Sequence, residues 1–425
     1  MMCKVTVCSI VVLVLVFTGS AEGETLYVQE HYSTIQEAVD ASSTGDTILV
    51  EPDIYPENVR VENKSLTIES TAGCFQTTID GKLKDVCIAF INAGNSALIG
   101  FEIVNGRGWL TRGGGIHVGS SSPVITDNYI HSNYSWWSGG GIYVEIGAPI
   151  IKDNIISDNY LYDGFGGGIY AGFSNVTIER NVINGNLADD NGGGIALESC
   201  SNISIESNKI LENYSTIGGG IFLSNVAGTI RNNFIGGNSS IDSGSGIYLD
   251  TETYLDLVNN TICGNKSNNF FTGCMHCSDS TVYILNTIFW HDTGRQNYRR
   301  YEISLESTNG YPTFCRVEFS CIEGVEDSIL VGSGCTLDWR DGNFSADPLF
   351  KNEANHDFHL RSHSACIDVG LIDPLRLTQL DIDGEPRIMA GNVCQGFDWP
   401  LVDVGADEYN WRQNPWQKPV LKNHP

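Results

Sequence analysis

Between Gly113 and Leu249 the phrase Gly113-Gly114-Gly115-Ile116 returns at Gly139, Gly166, Gly192 and Gly218, and once more as Gly244-Ser245-Gly246-Ile247. The spacings are 26, 27, 26, 26 and 26 residues. A second phrase keeps step with the first: asparagines five apart at Asn128/Asn133, Asn154/Asn159, Asn181/Asn186, Asn208/Asn213, Asn233/Asn238 and Asn260/Asn265. An isoleucine follows the first Asn of each pair by two, at Ile130, Ile156, Ile183, Ile210, Ile235 and Ile262. A fixed period of this length marks a repeat architecture.

The apolar pattern inside each unit decides which repeat it is. Short runs such as Ile116-His117-Val118 and Val176-Thr177-Ile178 alternate with period two, and no helical stripe occurs. That excludes leucine-rich horseshoes and helical solenoids and leaves a parallel β-helix. Each unit is one coil, with Ile and Val pointing inward and like residues stacked about 4.8 Å apart. The asparagines are expected to form side-chain ladders at one turn, and the glycines to allow another sharp turn where φ is positive.

At 425 residues with 41% hydrophobic side chains, the chain can bury a long narrow core in one elongated domain. Residues 1–23 read as a secretory signal: Lys4, an apolar core from Val5 to Gly19, and Ala21-Glu22-Gly23 for cleavage. No later stretch is apolar enough to span a membrane. The expected layout is then an N-terminal cap and irregular coils over 24–110, regular repeats over 111–345, a C-terminal capping module over 346–410 and a tail over 411–425. Ser33-Thr34-Ile35-Gln36 starts a short capping helix through Ala41. Export, release or retention at the cell surface, and a monomeric state are expected.

Net charge is −27, which argues against a nucleic-acid partner and against acidic sugars unless a metal ion or a local basic patch intervenes. Eleven cysteines follow the signal, and export makes disulfides the default expectation for them. Cys274-Met275-His276-Cys277 lacks the second C-x-x-C of a zinc site. Nine Asn-x-Ser/Thr sequons occur, but those at Asn133, Asn213, Asn238 and Asn265 are ladder positions that leave no room for a glycan.

Several segments resemble known families. Tyr32-Ser33-Thr34-Ile35-Gln36-Glu37-Ala38-Val39, with Gly45-Asp46-Thr47-Ile48 and Tyr55-Pro56-Glu57-Asn58-Val59, resembles the start of secreted right-handed β-helix proteins, pectin methylesterases among them. The Gly-Gly-Gly-Ile and Asn-x-Ile-x-x-Asn phrases are similar to bacterial right-handed parallel β-helix repeat proteins. Asp347-Pro348-Leu349-Phe350, Ser364-Ala365-Cys366-Ile367-Asp368-Val369-Gly370 and Asp403-Val404-Gly405-Ala406-Asp407-Glu408 resemble the terminal module of exported choice-of-anchor β-helix proteins. The resemblance implies fold and export. It carries over no catalytic residue, because the Q-D-T-L, D-F-I-F-G, G-H-G, R-I-K and R-x-P-x-x-R segments of pectin-active relatives do not occur.

Candidate chemistry therefore rests on what the repeat aligns. Four residues past the second Asn stand Trp137, Asp163, Asp190, Ile217 and Asp242, flanked by Trp136, Tyr162 and Asp189. Asp163 and Asp190 on adjacent coils are the candidate catalytic pair, and two close carboxylates can share a proton, hold a cation or act on a glycosidic bond. Trp136, Trp137, Tyr162, Asp189 and Asp242 are the candidate substrate contacts. No cofactor is expected, and calcium is an ion these acids could hold. Turn loops also favour Asp for its backbone bonding, which explains the same residues structurally. A second column, His117, Tyr143, Tyr170, Ala196, Phe222 and Tyr248, points outward and is expected as an exposed aromatic stripe, or as simple stacking between coils. Asp381, Asp383 and Glu385 suggest turn formation before calcium. Polysaccharide binding or processing is the leading expectation, and a non-catalytic surface solenoid its alternative.

Overall fold

The computed structural model describes residues 23–109, 112–268, 273–292, 301–387 and 402–409. Residues 1–22 of the expected signal, Cys394 and the tail lie outside the described residues. The chain is a parallel β-solenoid with sheets of 13, 11 and 11 strands and a seven-stranded sheet of two-residue strands. Every strand pair in these four sheets is parallel, and each strand bonds to its equivalent one coil away, as Ile116–Ser121 does with Ile142–Gly147 and Ile142–Gly147 with Ile169–Ser174.

Alternation dictates the core. Ile116, Ile142, Ile169, Ile195, Ile221 and Ile247 stack inside one sheet, and Ile130, Ile156, Ile183, Ile210, Ile235 and Ile262 inside another, all without solvent exposure. Each such side chain contributes about 1.5–3 kcal/mol of burial. At the start, the helix Ile35–Ala41 buries Ile35, Ala38 and Val39. Its cap forms one residue later than the expected Ser33/Gln36 box: Glu37 N donates to Thr34 Oγ1 at 3.1 Å, and Ser33 N to the Glu37 carboxylate at 2.9 Å.

Both asparagine columns are continuous ladders. In the inner one, Asn159 donates its backbone N–H and its side-chain Nδ2 to Asn186 Oδ1 at 3.1 and 2.9 Å, and Nδ2 also reaches Ile130 O at 3.0 Å. Asn186 repeats the arrangement with Asn213 and Ile156. Asn133, Asn213, Asn238 and Asn265 are fully buried, so those sequons are closed to glycans. The sharp turns fall in two places. Gly139 has φ +66°, and a side chain on Gly141 would strike Gly168 O and the Asn159 amide. The residue before each ladder asparagine is also left-handed, even where it is not glycine: Asp127, Asp153, Arg180 and Ser207 have φ between 52 and 59°. The ladder bonds hold these strained positions in place.

Asn286 stands 26 residues after Asn260, where the period would put the next rung. It lies off the ladder, and Thr287 takes the rung below Asn260. Asn232, Asn259 and Asn286 instead form an outward column that grips the C-terminal residues. Asn286 exchanges bonds of 2.9 and 2.8 Å with Leu371, and Asn259 donates to Asp403 O at 3.1 Å. Arg387, wholly buried, donates to Asn232 Oδ1 at 3.0 Å, Ala406 O at 2.6 Å and Glu408 at 3.4 Å. Phe350, Phe358, Leu360 and Val404 pack on Phe234, Cys263, Ile288 and Trp290 of the solenoid. The C-terminal residues expected to cap the end thus lie along its flank.

The cysteines are also corrected. All ten described ones, Cys74, Cys87, Cys200, Cys263, Cys274, Cys277, Cys315, Cys321, Cys335 and Cys366, are free thiols, and most are buried as small apolar groups.

Candidate functional site: the lateral loop edge

The seven-stranded sheet forms one lateral edge, from Arg107–Gly108 through Tyr134–Ser135, Tyr160–Leu161 and Leu187–Ala188 onward. The residue after each strand holds one position on successive coils. Trp136 N donates to Gly108 O at 3.0 Å, Tyr162 N to Ser135 O at 3.1 Å and Asp189 N to Leu161 O at 3.3 Å. The row therefore reads Trp109, Trp136, Tyr162, Asp189. Ring centroids are 5.1 Å apart for Trp109 and Trp136, and 4.4 Å for Trp136 and Tyr162, whose planes differ by 23°. Trp109, Trp137 and Tyr162 remain about half exposed (50, 51 and 51%).

The 27-residue coil shifts the expected column. Ser138, Phe165, Asn191 and Ile217 bridge one another, so the extra residue falls just before them, in the loop holding Asp163. Gly164 stands level with Asp190 and donates its N–H to Asp190 Oδ2 at 3.0 Å. The pair Asp163 and Asp190 is thus out of register, yet still close. Burial, then the charges of Asp190 and Asp163, push the Asp189 carboxyl upward. All three are exposed. Asp242 stands apart from them: its N–H bonds to Thr216 O, and Thr216 in turn bonds to Asp190 O, which puts it two coils beyond.

The other column is not an exposed platform. Tyr143, Tyr170, Ala196 and Phe222 are 0, 8, 0 and 4% exposed, covered by Phe165 and Ile217 from the loop edge. Where Ala196 leaves a gap, Phe165 enters and stacks on Phe222 at 5.9 Å and 11°. Arg112 and Glu145 close on the Tyr143 hydroxyl at 2.7 and 3.0 Å, and burial pushes that phenol up to about 12. The stacking alternative is the observed one.

Sequence reasoning missed the N-terminal end of the row. Arg107 lies 4.5 Å over the Trp109 ring, and both line a depression of about 260 Å³ with Leu83, Lys84 and Asp85. Counting one period back from Trp136 would have found Trp109. Lys84 and Arg107 bring two cations to this end of the row, with Asp85 beside them.

None of the loop-edge aspartates belongs to a three-donor cluster among the described residues. The clusters found are Cys274/Asp292/Glu302 and His359/Asp383/Asp407. In the second, His359 bonds Asp383 at 2.8 Å and Asp357 through its other nitrogen, and those carboxylates push its imidazole up to about 9. Both ring nitrogens are committed to an ion-pair network. Asp381 accepts the backbone N–H groups of Asp383 and Glu385, which is turn formation, and that of Glu408, which ties the turn to the segment 402–409.

Comparison with known proteins follows the fold. A family model described as right handed beta helix region matches residues 18–183 and again 86–262. A cell surface glycoprotein of Methanothermus fervidus is 35% identical over 91 residues, which are 21% of this chain and 15% of that protein. Among solved structures, pectate lyase Pel9A is 14% identical over 92% of this chain and 98% of its own, with a TM-score of 0.46. The complex of XylC with xylose is 12% identical over 91 and 98%, with a TM-score of 0.47. The A-module of the Azotobacter vinelandii mannuronan C-5 epimerase AlgE6 is 16% identical over 74 and 93%, with a TM-score of 0.36. These likenesses concern the coil in general and say nothing about chemistry. No helix among the described residues is long and apolar enough to cross a membrane. The family model covers more than half of the sequence, and the chain belongs to the right handed beta helix region family.

Proposed function

We propose that this is an exported or cell-surface solenoid that binds a polysaccharide along its lateral loop edge. The observation that carries this reading is the in-register row Trp109, Trp136 and Tyr162, with Trp137 beside it, running into Asp163, Asp189 and Asp190. Coils rise about 4.8 Å, close to one pyranose unit, so a glycan lying along the axis meets one side chain per coil. The aromatic faces supply apolar contact and the aspartates accept sugar hydroxyls. Lys84 and Arg107 give a uronate or other acidic sugar a place to bind despite the net charge.

Binding is favoured over cleavage by exposure. Acid–base catalysis needs titratable groups converging in a water-poor concave surface, and Asp163 and Asp190 are open to solvent. The test is a glycan array with a depolymerisation assay, with and without calcium, on the wild type, Trp136→Ala and Asp163→Asn/Asp190→Asn. Binding lost in Trp136→Ala without product formation is the expected result. Product formation that the double Asn variant abolishes would make the pair catalytic instead. Silence toward neutral and acidic glycans would leave the non-catalytic surface solenoid.

A further inference from the structure

Three positions of the repeat change together near its C-terminal end. The last glycine of each phrase, Gly115, Gly141, Gly168, Gly194, Gly220 and Gly246, lies against the ladder amide, and Cβ atoms on Gly220 and Gly246 would stand 3.1 and 3.3 Å from Asn238 and Asn265 Nδ2. Register carries this position on to Cys274 and then Glu302, because Ile247 pairs with Met275 and Met275 with Ile303. On the ladder itself, the rung after Asn265 is Asp292. Two glycines and an asparagine have thus become Cys, Glu and Asp, side chains that ligate metals.

They converge in the interior. Cys274, Asp292 and Glu302 are 3, 2 and 2% exposed, and one ligand atom from each lies within 4.8 Å of the others. Asp292 Oδ1 accepts both donors of Asn265, but its Oδ2 is buried with no donor beyond the Cys274 and Glu302 side chains of the cluster itself. In earlier rungs the second side-chain atom is an N–H that donates to an isoleucine carbonyl, as Asn265 Nδ2 does to Ile235 and Asn238 Nδ2 to Ile210. An oxygen in that place has nothing to donate. A thiolate and two carboxylates buried together need a cation or bound protons to offset their charge.

We propose that Cys274, Asp292 and Glu302 bind a divalent transition metal of the zinc or cobalt type, which closes the inner asparagine ladder. One sulfur and two oxygen donors suit such an ion, whereas calcium and magnesium take oxygen ligands alone. The ion is structural: it is sealed from solvent and enters as the coil folds.

The test uses the full mature chain, unfolded with chelator and reductant and refolded with Zn²⁺ or Co²⁺. Metal per chain is measured by elemental analysis, thiolate-to-cobalt charge transfer by near-ultraviolet absorption, and the thermal midpoint by circular dichroism. Stoichiometric metal, a charge-transfer band absent from Cys274→Ser, and a midpoint raised by Zn²⁺ are expected. Asp292→Asn restores an ordinary rung, so it folds, and it is expected to lose the metal and the Zn²⁺ response. Failure of the wild type to retain stoichiometric metal would overturn the proposal, as would retention by Asp292→Asn. A wild type indifferent to Zn²⁺ beside a more stable Asp292→Asn would identify Asp292 as a protonated rung and also overturn it.

Discussion

Asn265 donates its backbone N–H and its side-chain Nδ2 to the same oxygen of Asp292, at 2.6 and 2.9 Å, so the inner column of asparagines ends on a carboxylate. From Asn159 to Asn265 each rung serves two neighbours: its oxygen takes both donors of the rung before, and its nitrogen reaches the next rung and a backbone carbonyl. Removing one rung therefore strands groups on both sides.

Asn186→Ala is expected to destabilise the solenoid by about 2–4 kcal/mol, because Asn159 N and Nδ2 lose their buried acceptor and Ile156 O loses its donor. Urea unfolding against the wild type measures it. A loss under about 0.5 kcal/mol would show that water or backbone relaxation replaces the rung.

Phe165→Ala is expected to cost about 2 kcal/mol, below the range for a fully buried Phe because Phe165 is half-buried. It reopens the gap over Ala196 and uncovers Tyr170 and Phe222. Tyrosine fluorescence quenching should rise in parallel. Glycan binding at Trp136 should be unchanged if the covered column is purely structural.

Arg387→Ala removes a cation from a buried set with Glu408 and Asp403, and takes away the bond to Asn232. The expected cost is about 3–5 kcal/mol. It should appear as early proteolysis within 346–409 while the coils stay resistant, and simultaneous loss of both would mean that flank and coils unfold as one unit.

The same region sets a pH dependence. Burial pushes the Asp403 carboxyl up to about 8, and burial and Asp403 raise Glu408 against the pull of Arg387. The Asp383 and Asp357 carboxylates push His359 up to about 9. Both shifts are upward, so the folded state holds more protons than the unfolded chain, from pH 3.8 to about 8 for Asp403 and from 6.5 to about 9 for His359. Stability from these groups is full at the low end of each window and is lost as pH rises through the folded value. Thermal midpoints should fall between pH 6 and 9, and Asp403→Asn should flatten the profile.

Reduction should leave the thermal midpoint unchanged, since the ten described cysteines are thiols. A drop with reductant would mean that disulfides form among them after export.

What the sequence determined by itself was whatever recurs locally. The 26-residue period, the inward isoleucines, both asparagine columns and the short helix ending at Ala41 follow from alternation and capping, which act over a few residues and, in the coils, repeat. Alternation separates the inside of a strand from its outside, but it cannot tell whether the outside is covered. Only the tertiary structure buried Tyr143, Tyr170 and Phe222, because their cover comes from Phe165 and Ile217 on a different part of the coil. Only it set Asp163 one residue out of register, through a loop whose extra residue no periodicity locates. The flank position of the C-terminal residues rests on contacts such as Asn232 with Arg387, 155 positions apart, and no local pattern encodes a pairing across that distance. Cys274, Asp292 and Glu302 look like lapses of the repeat when read singly. Folding puts them side by side in the core, where their charge must be offset by bound protons or by the proposed ion.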